Sequence, residues 1–206
     1  MLRKYHSPLF AFSTIALGLL PCIGHADTAD GAAGFFVNGN FGQASLDKGL
    51  YNDTDTGYQV GVGYRWASNP RVAFGVEGGY VDLGTFGLDA HKLPAQAVSS
   101  LPKARISGWT AGANARVAFQ PNWYVSARAG LFHANAKGAY LSTIGAGQYA
   151  SGDDTSTEYY VGAGIGYNIN DRLSIGFNID YYKASVLLGP SLDSILSSVS
   201  AEYRFP

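Results

Sequence analysis

Ile195-Leu196-Ser197-Ser198-Val199-Ser200-Ala201-Glu202-Tyr203-Arg204-Phe205, near the end of the chain, alternates from residue to residue. Ile195, Val199, Ala201, Tyr203 and Phe205 fall on one face, interrupted only by Ser197, while Ser198, Ser200, Glu202 and Arg204 fall on the other. A period of two is the mark of a strand with one apolar and one polar side.

The same alternation recurs upstream over Phe35–Phe41, Tyr58–Trp66, Val72–Tyr80, Trp109–Phe119, Trp123–Leu131, Tyr159–Ile169 and Leu173–Tyr181, which makes eight segments. In a soluble sandwich the apolar faces would fill a core. Two features favour the inverse arrangement. The polar faces are rich in Gly and carry isolated charges, which suits a narrow interior where side chains are small or paired. The aromatic residues gather at the ends of the apolar faces: Trp66, Phe74, Phe119, Trp123, Tyr203 and Phe205 at one end, Phe41, Tyr80, Trp109, Tyr159 and Tyr181 at the other. Two such girdles are expected where amphipathic rings meet two membrane–water interfaces.

Connections alternate as well. Those at Ala67–Arg71, Gln120–Asn122 and Asn170–Arg172 are tight, with Asn-Pro, Pro-Asn and Asn-Asp turn chemistry. Those near Ala44–Asp55, Leu83–Ala104, Asn135–Thr157 and Ser185–Ser194 read as long loops. Short turns on the periplasmic side and long loops outside fit a membrane barrel, and lipid, which cannot satisfy an open sheet edge, requires closure. The expected fold is all-β: an eight-stranded antiparallel up-and-down transmembrane β-barrel.

Composition and the start of the chain fit export. Charged residues are 14% of the total, against about a quarter in ordinary soluble domains. Arg3 and Lys4 precede an apolar run from Leu9 to Leu20, shorter than the about 20 residues of a spanning helix. Gly24-His25-Ala26 offers small residues for cleavage, so residues 1–26 read as a signal peptide and 27–206 as the barrel domain. Cys22, the one cysteine, lies in the leader, and Pro21 beside it speaks against lipidation. Of the 14 basic residues Arg3 and Lys4 would leave with the leader, so the mature chain is acidic, with 15 acidic residues. No basic run marks it as a nucleic-acid binder.

Tyr58-Gln59-Val60, followed by Val72 through Gly84, resembles the second and third strands of the OmpA-type transmembrane domain, and Tyr203-Arg204-Phe205 resembles its last strand. The short Ail/OmpX-like barrels are a neighbouring comparison. The resemblance implies a small outer-membrane barrel without the family's periplasmic peptidoglycan-binding domain. It also makes Tyr203 and Phe205, in Ser198-x-Ser200-x-x-Tyr203-x-Phe205, the signal read by the assembly machinery. By the same resemblance Glu77 and Arg116 occupy two of four positions of an interior salt-bridge set thought to gate ion passage. The other two are Asn178 and Gly166, which cannot pair, so a static network is expected instead.

Seven charges lie on polar faces: Arg65, Glu77, Arg116, Arg128, Asp180, Glu202 and Arg204. An eight-stranded lumen is just wide enough to be filled by its own side chains, and unpaired buried charge is costly. These residues are therefore expected to pair and plug the barrel, with Glu77 and Arg116 the charges expected to meet across it. Gly162-Ala163-Gly164-Ile165-Gly166 mimics a nucleotide-binding motif, but within an alternating strand it reads as lumen wall. His91 and His133 lack spaced partners for a metal or for catalysis, and Asp153-Asp154 in the third loop reads as solvated loop acids in preference to a weak cation site. Barrel enzymes acting on lipid A need a Ser and His together; Ser185 has no nearby His in sequence. No catalytic residue, cofactor or metal is expected.

The expected role is structural, in envelope integrity, with outer-membrane lipid and lipopolysaccharide and the assembly machinery as partners. An adhesin or serum-resistance role, acting on a host or surface ligand through the loops, is the alternative. A small-solute pore is disfavoured by the filled lumen.

Overall fold

A computed structural model describes residues 33–48, 51–87, 103–143, 149–185 and 192–205. The expected leader, His91 and Pro206 lie outside them. Eight strands follow in chain order: β1 (Gly34–Lys48), β2 (Tyr51–Asn69), β3 (Val72–Phe86), β4 (Ala104–Ala118), β5 (Trp123–Thr143), β6 (Tyr149–Asn168), β7 (Leu173–Tyr182) and β8 (Ser194–Arg204). Each pairs antiparallel with its neighbour and β8 pairs back to β1, so the sheet closes into an up-and-down barrel.

The register fixes the barrel's geometry. Directly opposed partners lead from Phe36 through Gly63, Glu77, Gly112, Gly130, Tyr160, Tyr182 and Ser194 to Leu46. One circuit thus climbs from position 36 to position 46 of β1. With standard strand rise and spacing, that stagger over eight strands gives a tilt of about 40° and a backbone radius of about 8 Å. Such a cylinder holds one layer of inward side chains meeting at the axis.

Alternation sets which side chains those are. Val60, Val62, Phe74, Val76, Leu131, Ile165, Ile179 and Val199 are exposed on the outer wall, while Arg65, Arg116, Asp180, Glu202 and Arg204 are buried inside. The barrel is inside-out relative to a soluble sandwich, as a lipid solvent demands. Aromatic pairs brace both girdles: Trp123 meets Tyr167 edge-on at 5.3 Å toward the tight turns, and Tyr80 meets Trp109 at 5.2 Å toward the loops.

The tight turns are built by asparagine. Asn69 Oδ1 accepts from the N–H groups of Arg71 and Val72 at 2.9 and 3.0 Å, and Asn170 Oδ1 accepts from Arg172 and Leu173 at 2.9 and 2.8 Å. This is the side-chain mimicry of a backbone turn that suits Asn to such positions.

At the other end two of the expected loops are largely strand. β1 and β2 stay paired out to Lys48 opposite Tyr51, and β5 and β6 out to Thr143 opposite Tyr149. Above the membrane neither face of a hairpin need be apolar, so alternation fades while backbone pairing continues. The β5–β6 ribbon rises beyond β4, whose last partner on β5 is Lys137. A register shift between Ala136 and Tyr140 bends its base, where Gly138 takes φ +69° and donates its N–H to Asp153 Oδ1 at 3.1 Å. A second shift, between Asp82 and Thr85, uses Gly84 at φ +88°.

Aspartates tie β2 to that second bulge. Asp55 Oδ2 accepts from Thr85 N–H at 2.7 Å, and Asp53 Oδ2 from Gly87 N–H at 2.6 Å. This part of β2 stands above the loop-side aromatic girdle, outside the lipid belt. The N–H groups of Thr85 and then Thr56 hold the Asp55 carboxyl below its ordinary value, against the opposing effect of burial and with lesser help from Lys103 and Arg105. A lowered folded value means that the clamp is fully present above about pH 4 and is lost as pH falls through the Asp55 titration. The Thr85 amide chemical shift should accordingly stay constant at neutral pH and titrate only below about pH 4. Asp55→Asn should remove that titration.

Candidate functional site

Among the described residues buried charge concentrates in the interior, which has two layers. The layer toward the tight turns is polar. Three inward strands bring arginines to one carboxylate: Arg65 from β2, Arg116 from β4 and Arg204 from β8 surround Glu202 of β8. Arg65 grips it with both ends of its fork, Nη1 to Oε1 and Nη2 to Oε2, each at 2.7 Å. Arg116 Nη1 donates to the same Oε1 at 2.8 Å, and Arg204 Nε lies 4.0 Å from it. Bidentate, charge-assisted contacts of this kind are the strong class. Asn168 accepts from Arg116, and from Arg204 at 3.2 Å. The guanidinium planes rest on aromatic faces, Arg65 at 3.9 Å from the Phe36 ring centre and Arg116 at 3.3 Å from that of Tyr124.

Glu77 of β3 does not meet Arg116. It accepts from Tyr160 OH at 2.8 Å and from Asn114 Nδ2 at 3.0 Å, and Asn114 Oδ1 accepts from Arg65 Nε at 2.7 Å. The register explains the difference from expectation. Residue 73, not 77, stands opposite Arg116, and Glu77 stands opposite Gly112. Four residues of strand put the two side chains about 13 Å apart along the wall. Arg128 of β5 and Asp180 of β7 form a separate pair, Nε to Oδ1 at 2.6 Å and Nη2 to Oδ2 at 2.5 Å, and Arg128 Nη2 also reaches Gln59 Oε1 at 2.7 Å. The same Gln59 oxygen accepts from Tyr182 OH at 3.2 Å.

Glycine makes room for these chains to lie against the wall. A Cβ at Gly162 would collide with Asp180 Oδ1, and one at Gly166 with the Tyr124 ring. The Gly162-Ala163-Gly164-Ile165-Gly166 run is therefore a set of recesses in β6, opposite the charges and rings it accommodates.

Above Tyr160 and Tyr182, which stack at 5.8 Å, the interior turns apolar. Leu46, Leu83, Phe86, Ile106, Phe132 and Leu196 come from five of the strands and are essentially inaccessible, none more than 1% exposed. This apolar layer fills the mouth from which the loops emerge. The cavities within the polar layer and beside Pro70 and Arg71 are about 40 and 50 Å³, room for a few water molecules each and too small for a solute path.

A family model described as an outer membrane protein beta-barrel domain matches residues 13–205. The chain belongs to this family. No curated protein matches it in sequence. Among solved structures it is similar to Ail of Yersinia pestis, at 18% identity and TM-score 0.52, covering 84% of this chain and 99% of that one. It is similar also to Neisserial surface protein A, at 17% identity and TM-score 0.54, covering 84% and 98%. A further structure of Ail, at 15% identity, TM-score 0.50 and coverage of 84% and 97%, was solved with the heparin analogue sucrose octasulfate. At such identities these likenesses establish the fold alone.

In this outer-membrane barrel Tyr203 and Phe205 point outward, 39% and 45% exposed, and meet edge-on at 5.2 Å. The structure does not bring His133 and Ser185 together. His133 Nδ1 is 2.8 Å from Thr157 Oγ1 on the outer wall, while Ser185 donates its hydroxyl to Glu158 and its N–H to Ser156 Oγ at 3.2 Å. No group of three potential metal ligands occurs among the described residues. Sequence reasoning missed the inward aromatics Phe36, Tyr124, Phe132, Tyr160 and Tyr182 and the whole apolar layer.

Proposed function

We propose that this outer-membrane barrel is a non-conducting structural element of the envelope, oriented with its tight turns in the periplasm and its loops outside. The observation that carries this reading is the doubly closed lumen. A polar network braces one half, and an apolar core of side chains from five strands seals the other, so any path for water or ions must cross both. No catalytic role is assigned, because the candidate hydroxyl and imidazole are engaged at separate places. The seven lumen charges act here as braces, and Tyr203 and Phe205 as the mark by which assembly recognises the last strand.

The second reading, contact with a host or surface ligand through the loops, rests on the β5–β6 ribbon, which projects past the rim of the barrel. A deletion strain separates the two. It should become permeable to large antibiotics and detergents, and a form trimmed between residues 140 and 152 should restore the barrier as well as the full chain does. Unchanged permeability on deletion, together with loss of surface binding on trimming, would favour the adhesin reading.

A further inference from the structure

On the outer wall, beyond the loop-side girdle, two cations stand side by side. Arg105 of β4 and Lys137 of β5 are directly opposed across the β4–β5 pairing, and both are exposed. Like charges opposite one another destabilise a sheet unless an anion lies between them. The flanking acids do not fill that place. Asp82 of β3 takes Arg105 Nη2 at 2.5 Å, but its side chain is only 4% exposed, tucked beneath the arginine, whose own side chain is 55% exposed. Asp153 of β6 accepts the Gly138 N–H. Asp55 of β2, held by Thr85 and Thr56, acts on Lys103 and Arg105 from the β3 side, and two strands separate β2 from the Lys137 strand. No hydrogen bond or ion pair joins Lys137 to another described residue. Lys103, two residues before Arg105, adds a third cation at this edge.

The height of the pair suggests the anion. Trp109, opposite His133, is part of the girdle, and Arg105 lies four residues further along β4. At the barrel's tilt that is about 10 Å above the aromatic ring, in the headgroup layer of the leaflet that surrounds the loop end. Between the two levels the wall carries Ser107, Asn135, Thr155 and Thr157, hydrogen-bonding side chains in place of apolar ones.

We propose that Arg105 and Lys137 form a binding site for the phosphate monoester of a glycolipid headgroup in the outer leaflet, with Ser107 and Asn135 beneath it facing the sugar. The assignment rests on the orientation proposed above, but its test does not. The folded full-length protein in dodecyl maltoside micelles is titrated with diphosphorylated lipid A, with dephosphorylated lipid A and with inorganic phosphate, and binding constants are read by native mass spectrometry. Lys137→Gln should weaken lipid A binding about fivefold to tenfold, the contribution of one interfacial cation, with no change in the thermal midpoint. Arg172→Gln, the same loss of charge at the tight-turn end, should leave binding unchanged. Dephosphorylated lipid A, which loses the Arg105 contact too, should bind the wild type at least as weakly as lipid A binds Lys137→Gln. Equal binding by wild type and Lys137→Gln, equal loss in Arg172→Gln, or full competition by millimolar inorganic phosphate would each overturn the assignment. Orientation is read separately, by protease accessibility in intact cells of a site inserted near residues 145–151 and of one at Asn170–Asp171.

Discussion

Replacing Glu202 with Gln should cost the barrel about 3–5 kcal/mol, the penalty for breaking a buried pair while its partner charge stays buried. Arg65 and Arg116 are only 6% and 3% exposed and direct three hydrogen bonds at the two Glu202 oxygens. Gln preserves the shape but removes the charge and turns one acceptor into a donor facing a guanidinium. Glu77→Gln is the internal comparison. Its partners, Tyr160 OH and Asn114 Nδ2, are neutral, so the loss should be nearer 1 kcal/mol. Urea unfolding of both variants in phospholipid vesicles measures the difference. Equal costs would mean that the two carboxylates share one diffuse network instead of serving a central and a peripheral role.

Ala113→Arg should be similarly damaging for the opposite reason. Ala113 sits mid-strand on the outer wall, between Val76 and Ala129, where a cation meets hydrocarbon and costs about 2–4 kcal/mol. Thr157→Arg, also outward but level with the polar band beside His133, should cost no more than about 1 kcal/mol. A flat profile between the two positions would be incompatible with a lipid belt on this face. The pair therefore tests the inside-out assignment by depth as well as by side.

What the sequence made legible was the wall. Alternation in Leu173–Tyr181 or Tyr58–Trp66 is imposed by two different solvents on two faces, so strand existence, facing and girdles can all be read from it. Where that contrast ends, legibility ends. Beyond the loop-side girdle the outward positions of β1, β2, β5 and β6 are polar, Ser45, Thr54, Thr56, Asn135 and Thr155 among them, and the pairing there is held by backbone bonds that leave little residue pattern. The inward aromatics were hidden by adjacency: Tyr159-Tyr160, Tyr181-Tyr182 and Trp123-Tyr124 each put one ring on either face. A signal existed in Gly112 and Gly130, which leave room for the Tyr160 ring. Partners across the lumen were beyond reach for another reason. Which charges share a level depends on the summed offsets of consecutive pairings, and a small error in one moves a partner out of reach. Glu77 and Arg116 sit on adjacent strands yet miss each other by this route, whereas Arg65 finds Glu202 two strands away through the closure of β8 on β1.

A lumen closed twice should be silent in steady-state recordings of the purified wild type in planar bilayers. No resolved conductance is expected at moderate voltage, at neutral pH and with the salt gradient in either direction, because neither the Glu202 cluster nor the apolar layer around Phe86 and Phe132 leaves a continuous water path. A stable, ion-selective open state in the wild type would contradict that closure.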